Sequence, residues 1–245
     1  TDDGDVAEVI HERGLSFFDD AWSEHVDAAE FESAAQQEYH RRLSRAGIED
    51  YFDPEDGPGI GHARRSVAVE DWLDCTVDGI GLYGRADNIV ATDDGLRVID
   101  YKSTLYGMLT SRSTENLEAH LDGEDHDPGR VKNAIQAAVY IEGVKNQPYY
   151  DDGMSVAFSY YGLIHNSDLE GSADGYTVTA SGTERDMTAI YEEHYDTIWS
   201  LVEDAFTGIM NDDFEPEPWD LIYDEACPDC DYKAMCPDYL SEEVQ

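Results

Sequence analysis

The chain is poor in lysine, in cysteine and in positive charge generally. Its 15 basic residues include only four lysines (Lys102, Lys132, Lys145 and Lys233) against 56 acidic residues, a formal charge of −41 with a pI near 4.1. Such a balance argues against binding nucleic acid by net charge, because phosphate binders are usually basic. Four cysteines in 245 residues exclude a disulfide scaffold of the small secreted kind. No apolar run approaches the roughly 18 residues of a membrane span, and no signal-like segment opens the chain. No membrane association is expected, and the expected location is cytoplasmic. Hydrophobic residues at 41% and aromatics at 11% argue against global disorder despite the charge. The length suits one domain with a small appendage.

The acid is spread along the chain, including segments with folded patterning such as Val67 to Thr76 and Met187 to Met210. A local acidic run would indicate an interaction arm, whereas a uniform coat indicates adaptation to solvent. High acid with few lysines resembles the proteins of salt-accumulating haloarchaea; the alternative is an unusually acidic mesophilic protein. At about 1 M salt the screening length is only about 3 Å, so the coat repels little beyond contact. The lysines that remain where most have been lost become candidates for chemistry.

Residues from about Val6 to Ala46 read as helical, with Val9, Ile10, Phe17, Trp22 and Val26 at three and four spacings. Asp53 to Gly61 reads as a loop. Strands are expected over about Arg65–Val77, Gly81–Ala91 and Leu96–Ser103, separated by the turn sequences Asp78-Gly79 and Asp93-Asp94-Gly95. Residues 104–128 read as irregular, and Arg130 to Val144 as a helix with Ala134, Ala137, Ala138 and Ile141 on its apolar stripe. Met154–Ile164 and Tyr176–Ala180 read as strands joined by a loop, and Thr183 to Met210 as one long amphipathic helix. This order implies an α/β or α+β fold. Thr1 is not an initiator methionine, so the chain is expected to be processed or part of something longer.

The sharpest local feature is Gly84-Arg85-Ala86-Asp87 followed by Val98-Ile99-Asp100-Tyr101-Lys102. Alternation puts Asp100 and Lys102 on one side of their strand and Ile99 and Tyr101 on the other. Asp87, across the Asp93–Gly95 turn, is expected beside Asp100. Two carboxylates repel unless a cation joins them, and hard oxygen donors suit Mg²⁺ or Mn²⁺. A nearby lysine can orient a water and offset developing negative charge. The competing reading is a salt-bridged polar strand face. His11, on the first helix, is a further candidate ligand or an ordinary helix histidine. Gln136 and Tyr140 share a helix face one turn apart. Glu70 faces the same site or solvent.

Cys227, Cys230 and Cys236 form Cys-x2-Cys-x5-Cys. Three thiolates so close indicate zinc or an iron–sulfur cluster, either of which needs a fourth donor. Cys75, on an apolar strand face, reads as buried filler or as that fourth ligand.

Together these residues resemble the RecB-like branch of the PD-(D/E)XK nuclease superfamily, and within it the iron–sulfur members: AddB-type nuclease domains and CRISPR-associated RecB-like exonucleases. The motifs occur in family order from His11 to Cys236. The resemblance implies a restriction-endonuclease-like α/β core, with a mixed central sheet flanked by helices, over residues 1–212. It implies a C-terminal iron–sulfur segment packed on the core over residues 213–245. It also implies that Asp87, Asp100, the Tyr101 carbonyl and His11 hold Mg²⁺ or Mn²⁺, that Lys102 is the catalytic lysine, and that Gln136 and Tyr140 contact DNA or support Lys102. Glu70 is a looser match. Cys227, Cys230 and Cys236 would hold a structural [4Fe–4S] cluster, with the fourth cysteine upstream of Thr1 or, less readily, Cys75.

The implied activity is metal-dependent hydrolysis of DNA, as an exonuclease on ends or single strands in repair, recombination or CRISPR adaptation. A helicase or a CRISPR-integration protein is the implied partner. The alternatives are a cleavage-inactive iron–sulfur DNA-binding subunit of a helicase–nuclease complex and a zinc-binding interaction module. DNA contact would rely on local cations, with Lys102, Arg85, Lys132 and Arg130 as candidates.

Overall fold

The computed structural model describes residues 3–29, 31–172 and 175–213. The expected Cys227, Cys230 and Cys236 cluster therefore lies outside the described residues, as does all but the first residue of the expected 213–245 segment. Helices α1 (Asp3–His25), α2 (Ala34–Tyr51) and α3 (Pro58–Arg65) precede strands β1 (Ser66–Val77), β2 (Ile80–Ala91) and β3 (Gly95–Lys102). After α4 (Glu115–Leu121) and α5 (Pro128–Val144) come β4 (Ser155–Ser172), β5 (Gly175–Asp186), α6 (Thr188–Glu193) and α7 (Tyr195–Met210). The fold is α/β, with the strands in one mixed sheet in the order β1-β2-β3-β4-β5.

The meander follows from its turns. Asp78 and Gly79 both take positive φ (51° and 86°), the backbone twist that a tight hairpin needs. β2 and β3 pair antiparallel with Asn88 opposite Ile99 and Ala91 opposite Leu96. β3 then pairs parallel with β4, Val98 opposite Phe158 and Asp100 opposite Tyr160. A parallel neighbour requires a crossover, and the helical stretch between β3 and β4 supplies it.

The chain divides into two compact units. The first comprises the described residues of Thr1–Asp74, Tyr83–Tyr106 and Tyr140–Met187. Alternation on β3 organises its core. Ile99 packs with Val90, Tyr51 and Tyr161, joined by Phe52, Tyr101 and Leu163, beneath the C-terminal end of α2. The other face of the sheet carries Phe158, fully buried, whose ring meets Tyr140 at 5.1 Å and Tyr160 at 4.7 Å. β1 is one of the two edge strands. Its Trp72 and Asp74 carbonyls accept hydrogen bonds from Gln147 and Asn146, which blunts the edge against foreign pairing. The second unit comprises the described residues of Cys75–Leu82, Gly107–Val139 and Thr188–Gln245. There α4 packs on α7, with Leu117, Ile198, Leu201 and Val202 buried.

Several expectations need correction. The first helical stretch is broken after His25, and α2 restarts behind an N-cap at Ser33, whose hydroxyl accepts from the Gln36 amide at 3.2 Å. The Ser-x-x-Gln pattern was there to be read. The expected loop over 53–61 ends in helix α3, because Pro58 occupies the first helical position, where its fixed φ is favourable. Residues 104–128, expected to be irregular, contain α4. The expected helix over Thr183–Met210 is instead the end of β5 followed by two helices that divide at His194. Thr183 pairs with Gly162, and Arg97 reaches Glu184 and Asp186, so tertiary contacts decide a segment that has no period of its own. The loop expected after Ile164 is mostly strand, because backbone pairing with β5 holds its polar residues extended.

Gly95 opens β3 against Ser155, where an added methyl would stand 2.0 Å from the Ser155 carbonyl oxygen. Gly95→Ala is expected to destabilise the fold by about 1–3 kcal/mol, read as a lower denaturant midpoint at unchanged slope.

Candidate functional site

Alternation and register assemble the site. Continuing the β2–β3 pairing by one residue beyond Asn88 and Ile99 sets Asp87 opposite Asp100. The Tyr101 amide donates to Asp87 Oδ2 at 2.8 Å, which ties the carboxylate on β2 to the backbone of β3. Asp100 is 3% exposed. Lys102 Nζ lies 2.5 Å from Asp100 Oδ2 and 5.6 Å from the centre of the Tyr160 ring. Tyr140 Oη, on α5, donates to the Arg85 carbonyl at 2.8 Å and lies 3.2 Å from Asp100 Oδ1. All these groups belong to the first unit.

Burial pushes the Asp100 carboxyl above its ordinary range. The Lys102 ammonium pulls it back, the Asp87 charge raises it further, and the Tyr140 hydroxyl lowers it. Two adjacent carboxylates, one of them desolvated, favour the arrival of positive charge. Tyr160 is pushed far above the usual phenol range by burial and by Asp100, so it stays neutral and presents its π-face to Lys102.

The opposite face of β3 is also polar. Tyr101 Oη accepts from Asn88 Nδ2 at 3.1 Å and shares a hydrogen bond of 2.6 Å with Tyr51 Oη. Tyr51 Oη in turn lies 2.8 Å from His62 Nδ1, and Ser66 Oγ donates to Asn88 Oδ1 at 2.8 Å. Burial raises both phenols and lowers His62, so the chain is neutral near pH 7. Asp87–Asn88 and Asp100–Tyr101 are thus cross-linked on both faces of the sheet.

The remaining expected residues lie apart from this set. His11 Nδ1 donates to the Phe52 carbonyl at 2.9 Å and lines a recess of about 830 Å³ with Asp50, Asp53 and Tyr161; neither Asp87 nor Asp100 borders it. Glu70 takes a left-handed φ of 53° and pairs with Arg85 Nε at 2.9 Å. Gln136 is half-buried one turn before Tyr140 on α5, and it belongs to the second unit. Of the other expected cations, Arg130 is paired with Asp127 and Lys132 is exposed. Cys75 is buried. Among the described residues, no three His, Cys, Asp or Glu side chains converge on a point that could hold a metal ion. The Asp87/Asp100 pair still fits a hard cation, because Mg²⁺ is commonly held by one or two carboxylates and completed by waters and substrate phosphate. The sequence reading missed Tyr160 and the Asn88–Tyr101–Tyr51–His62 chain. Only the β3–β4 register and the docking of α2 could have revealed them.

A raised carboxyl binds its proton more tightly in the folded chain than in the unfolded one. Ionising Asp100 therefore costs stability as pH climbs from the ordinary carboxylate value through the folded value, and that cost persists at neutral pH. Asp100→Asn removes it while keeping an acceptor for Tyr140, so the variant should unfold at a temperature no lower than the parent at neutral pH in a calorimetric scan.

Among the described residues, no helix is long and apolar enough to cross a membrane. A search of curated proteins found no match. A family model of the PD-(D/E)XK nuclease superfamily matches residues 7–237. With nearly the whole chain matched, and two strand carboxylates and a lysine held at one point of a mixed sheet, the chain belongs to the PD-(D/E)XK nuclease superfamily.

Proposed function

We propose that the chain is a metal-dependent deoxyribonuclease that hydrolyses phosphodiester bonds, acting on DNA ends or single strands. The observation that carries this is the contact of Lys102 with buried Asp100, with Asp87 opposite on β2. A catalytic lysine and two acidic donors occupy adjacent strands, and tyrosines fix their positions.

Asp87 and Asp100 would hold Mg²⁺ or Mn²⁺, which would supply Lewis acidity to the phosphodiester and lower the pKa of the attacking water. Lys102, in contact with Asp100, would point an N–H at that water or at a non-bridging oxygen. Its charge offsets the negative charge that builds as the water oxygen adds to phosphorus and the P–O ester bond breaks. The Tyr101 amide and the Tyr140 hydroxyl hold the carboxylates in place, so little reorganisation is needed at the moment of reaction. The Tyr101 carbonyl remains a proposed further donor. His11 is left out of this set, because its ring faces another recess.

The Cys227, Cys230 and Cys236 spacing supports a structural [4Fe–4S] cluster; the reading that goes with it is an iron–sulfur RecB-like member acting in DNA repair or CRISPR adaptation in the cytoplasm, with a helicase or integration protein as partner. The acid-rich, lysine-poor composition supports a halophilic source.

Asp100→Asn and Lys102→Ala should each lower Mg²⁺-dependent cleavage of end-labelled DNA by about 100-fold or more, with unchanged circular dichroism. Full cleavage in either variant, or cleavage indifferent to EDTA, would sink the assignment. Protein purified without oxygen should be brown, contain iron and acid-labile sulfide, and lose its colour in Cys230→Ser. A colourless protein with stoichiometric zinc would show an interaction-type metal site instead.

A further inference from the structure

Beside the carboxylate pair, the β1–β2 hairpin presents large aromatic rings to water. Tyr83 on β2 is 78% exposed and Trp72 on β1 is 67% exposed. Strand alternation sets Tyr83, Arg85 and Asp87 on one face of β2. Arg85 couples this row to β1: its Nε lies 2.9 Å from Glu70 Oε2, and its guanidinium stands 6.0 Å from the centre of the Trp72 ring. The order Tyr83, Arg85, Asp87, with Trp72 alongside, runs directly into the site.

We infer that this row is a stacking platform that delivers single-stranded DNA to Asp87 and Asp100. The inference rests on the nuclease reading of those two carboxylates. Singly scattered exposed aromatics need no explanation, but these adjoin a guanidinium and end at a carboxylate. The occupant follows from the chemistry. On a chain of charge −41, long-range attraction cannot gather a polyanion. Stacking needs no net charge and is not screened by salt, and every base has a π-face to offer. A duplex keeps those faces buried in its own stack, whereas a single strand leaves them available. Arg85, already paired with Glu70, adds a planar cation at the rings without making the surface basic. Glu70 therefore acts here as the residue that orients Arg85.

The test is anisotropy of a short fluorescein-labelled oligothymidylate with the full chain in EDTA, at low and at molar KCl. Trp72→Ala and Tyr83→Ala should each weaken binding about tenfold at both salt levels, and Trp72→Phe should stay within about threefold of the parent. An abasic strand of the same length should bind weakly and be indifferent to Trp72→Ala. Unchanged affinity in both alanine variants, equal binding of abasic and thymidylate strands, or duplex bound as tightly as single strand would each overturn the platform. Binding in EDTA requires no cleavage, so the two readings fail separately. A chain that holds thymidylate through Trp72 and cuts no DNA would refute the nuclease reading alone. One that cuts through Asp100 while binding independently of Trp72 and Tyr83 would refute the platform alone.

Discussion

Asp100 and Tyr101 are chain neighbours on opposite faces of one sheet, and the rest of the first unit is arranged around that alternation. Asp100 is buried on one face and Tyr101 is half-buried on the other, so both faces carry polar groups at the same level and both must be satisfied. On one side Lys102, Tyr140 and Asp87 surround the carboxylate. On the other, Asn88 and Tyr51 hold the phenol. Buried polar groups are costly when partly satisfied and rigidifying when fully satisfied. A strand clamped from both faces has little freedom to slide, and a one-residue slip would send both Asp100 and Lys102 to the wrong side.

The same constraint sets the electrostatics. A carboxylate at 3% exposure beside a second carboxylate is unfavourable in isolation. Lys102 offsets part of this, and its own position is fixed by Asp100 and by the neutral ring of Tyr160. A site that holds unfavourable charge in the folded chain is poised to accept a cation, which is the usual exchange of stability for function. Glu70, on the neighbouring strand β1, is paired with Arg85.

Local chemistry made much of this legible. The β1–β2–β3 meander was readable because period-two patterning and turn residues such as Asp78-Gly79 act over a few positions. The pairing of Asp87 with Asp100 was readable for the same reason, since the two are separated by one short turn. The broken first helix was misread although Ser33 and Gln36 announced a new start. The Thr183–Asp186 stretch was misread because four polar residues carry no period, and Arg97 and β4 decide their conformation. Glu70 was placed by simple alternation, which its left-handed backbone interrupts.

By itself the sequence determined which side chains the fold would bring to one point, and in what order: Asp87, Asp100, Lys102, Tyr140. Residue type and two-residue spacing belong to the chain whatever it packs against. Only the tertiary structure decided what surrounds them. Tyr160 lies beneath Lys102 because β3 pairs parallel with a strand some sixty residues further on. Tyr51 meets Tyr101 because α2 docks on the reverse face. His11 opens into another recess because its ring is held by the Phe52 carbonyl. Each of these contacts depends on a register or a docking that no local pattern encodes, because its partners lie tens of residues apart in the chain.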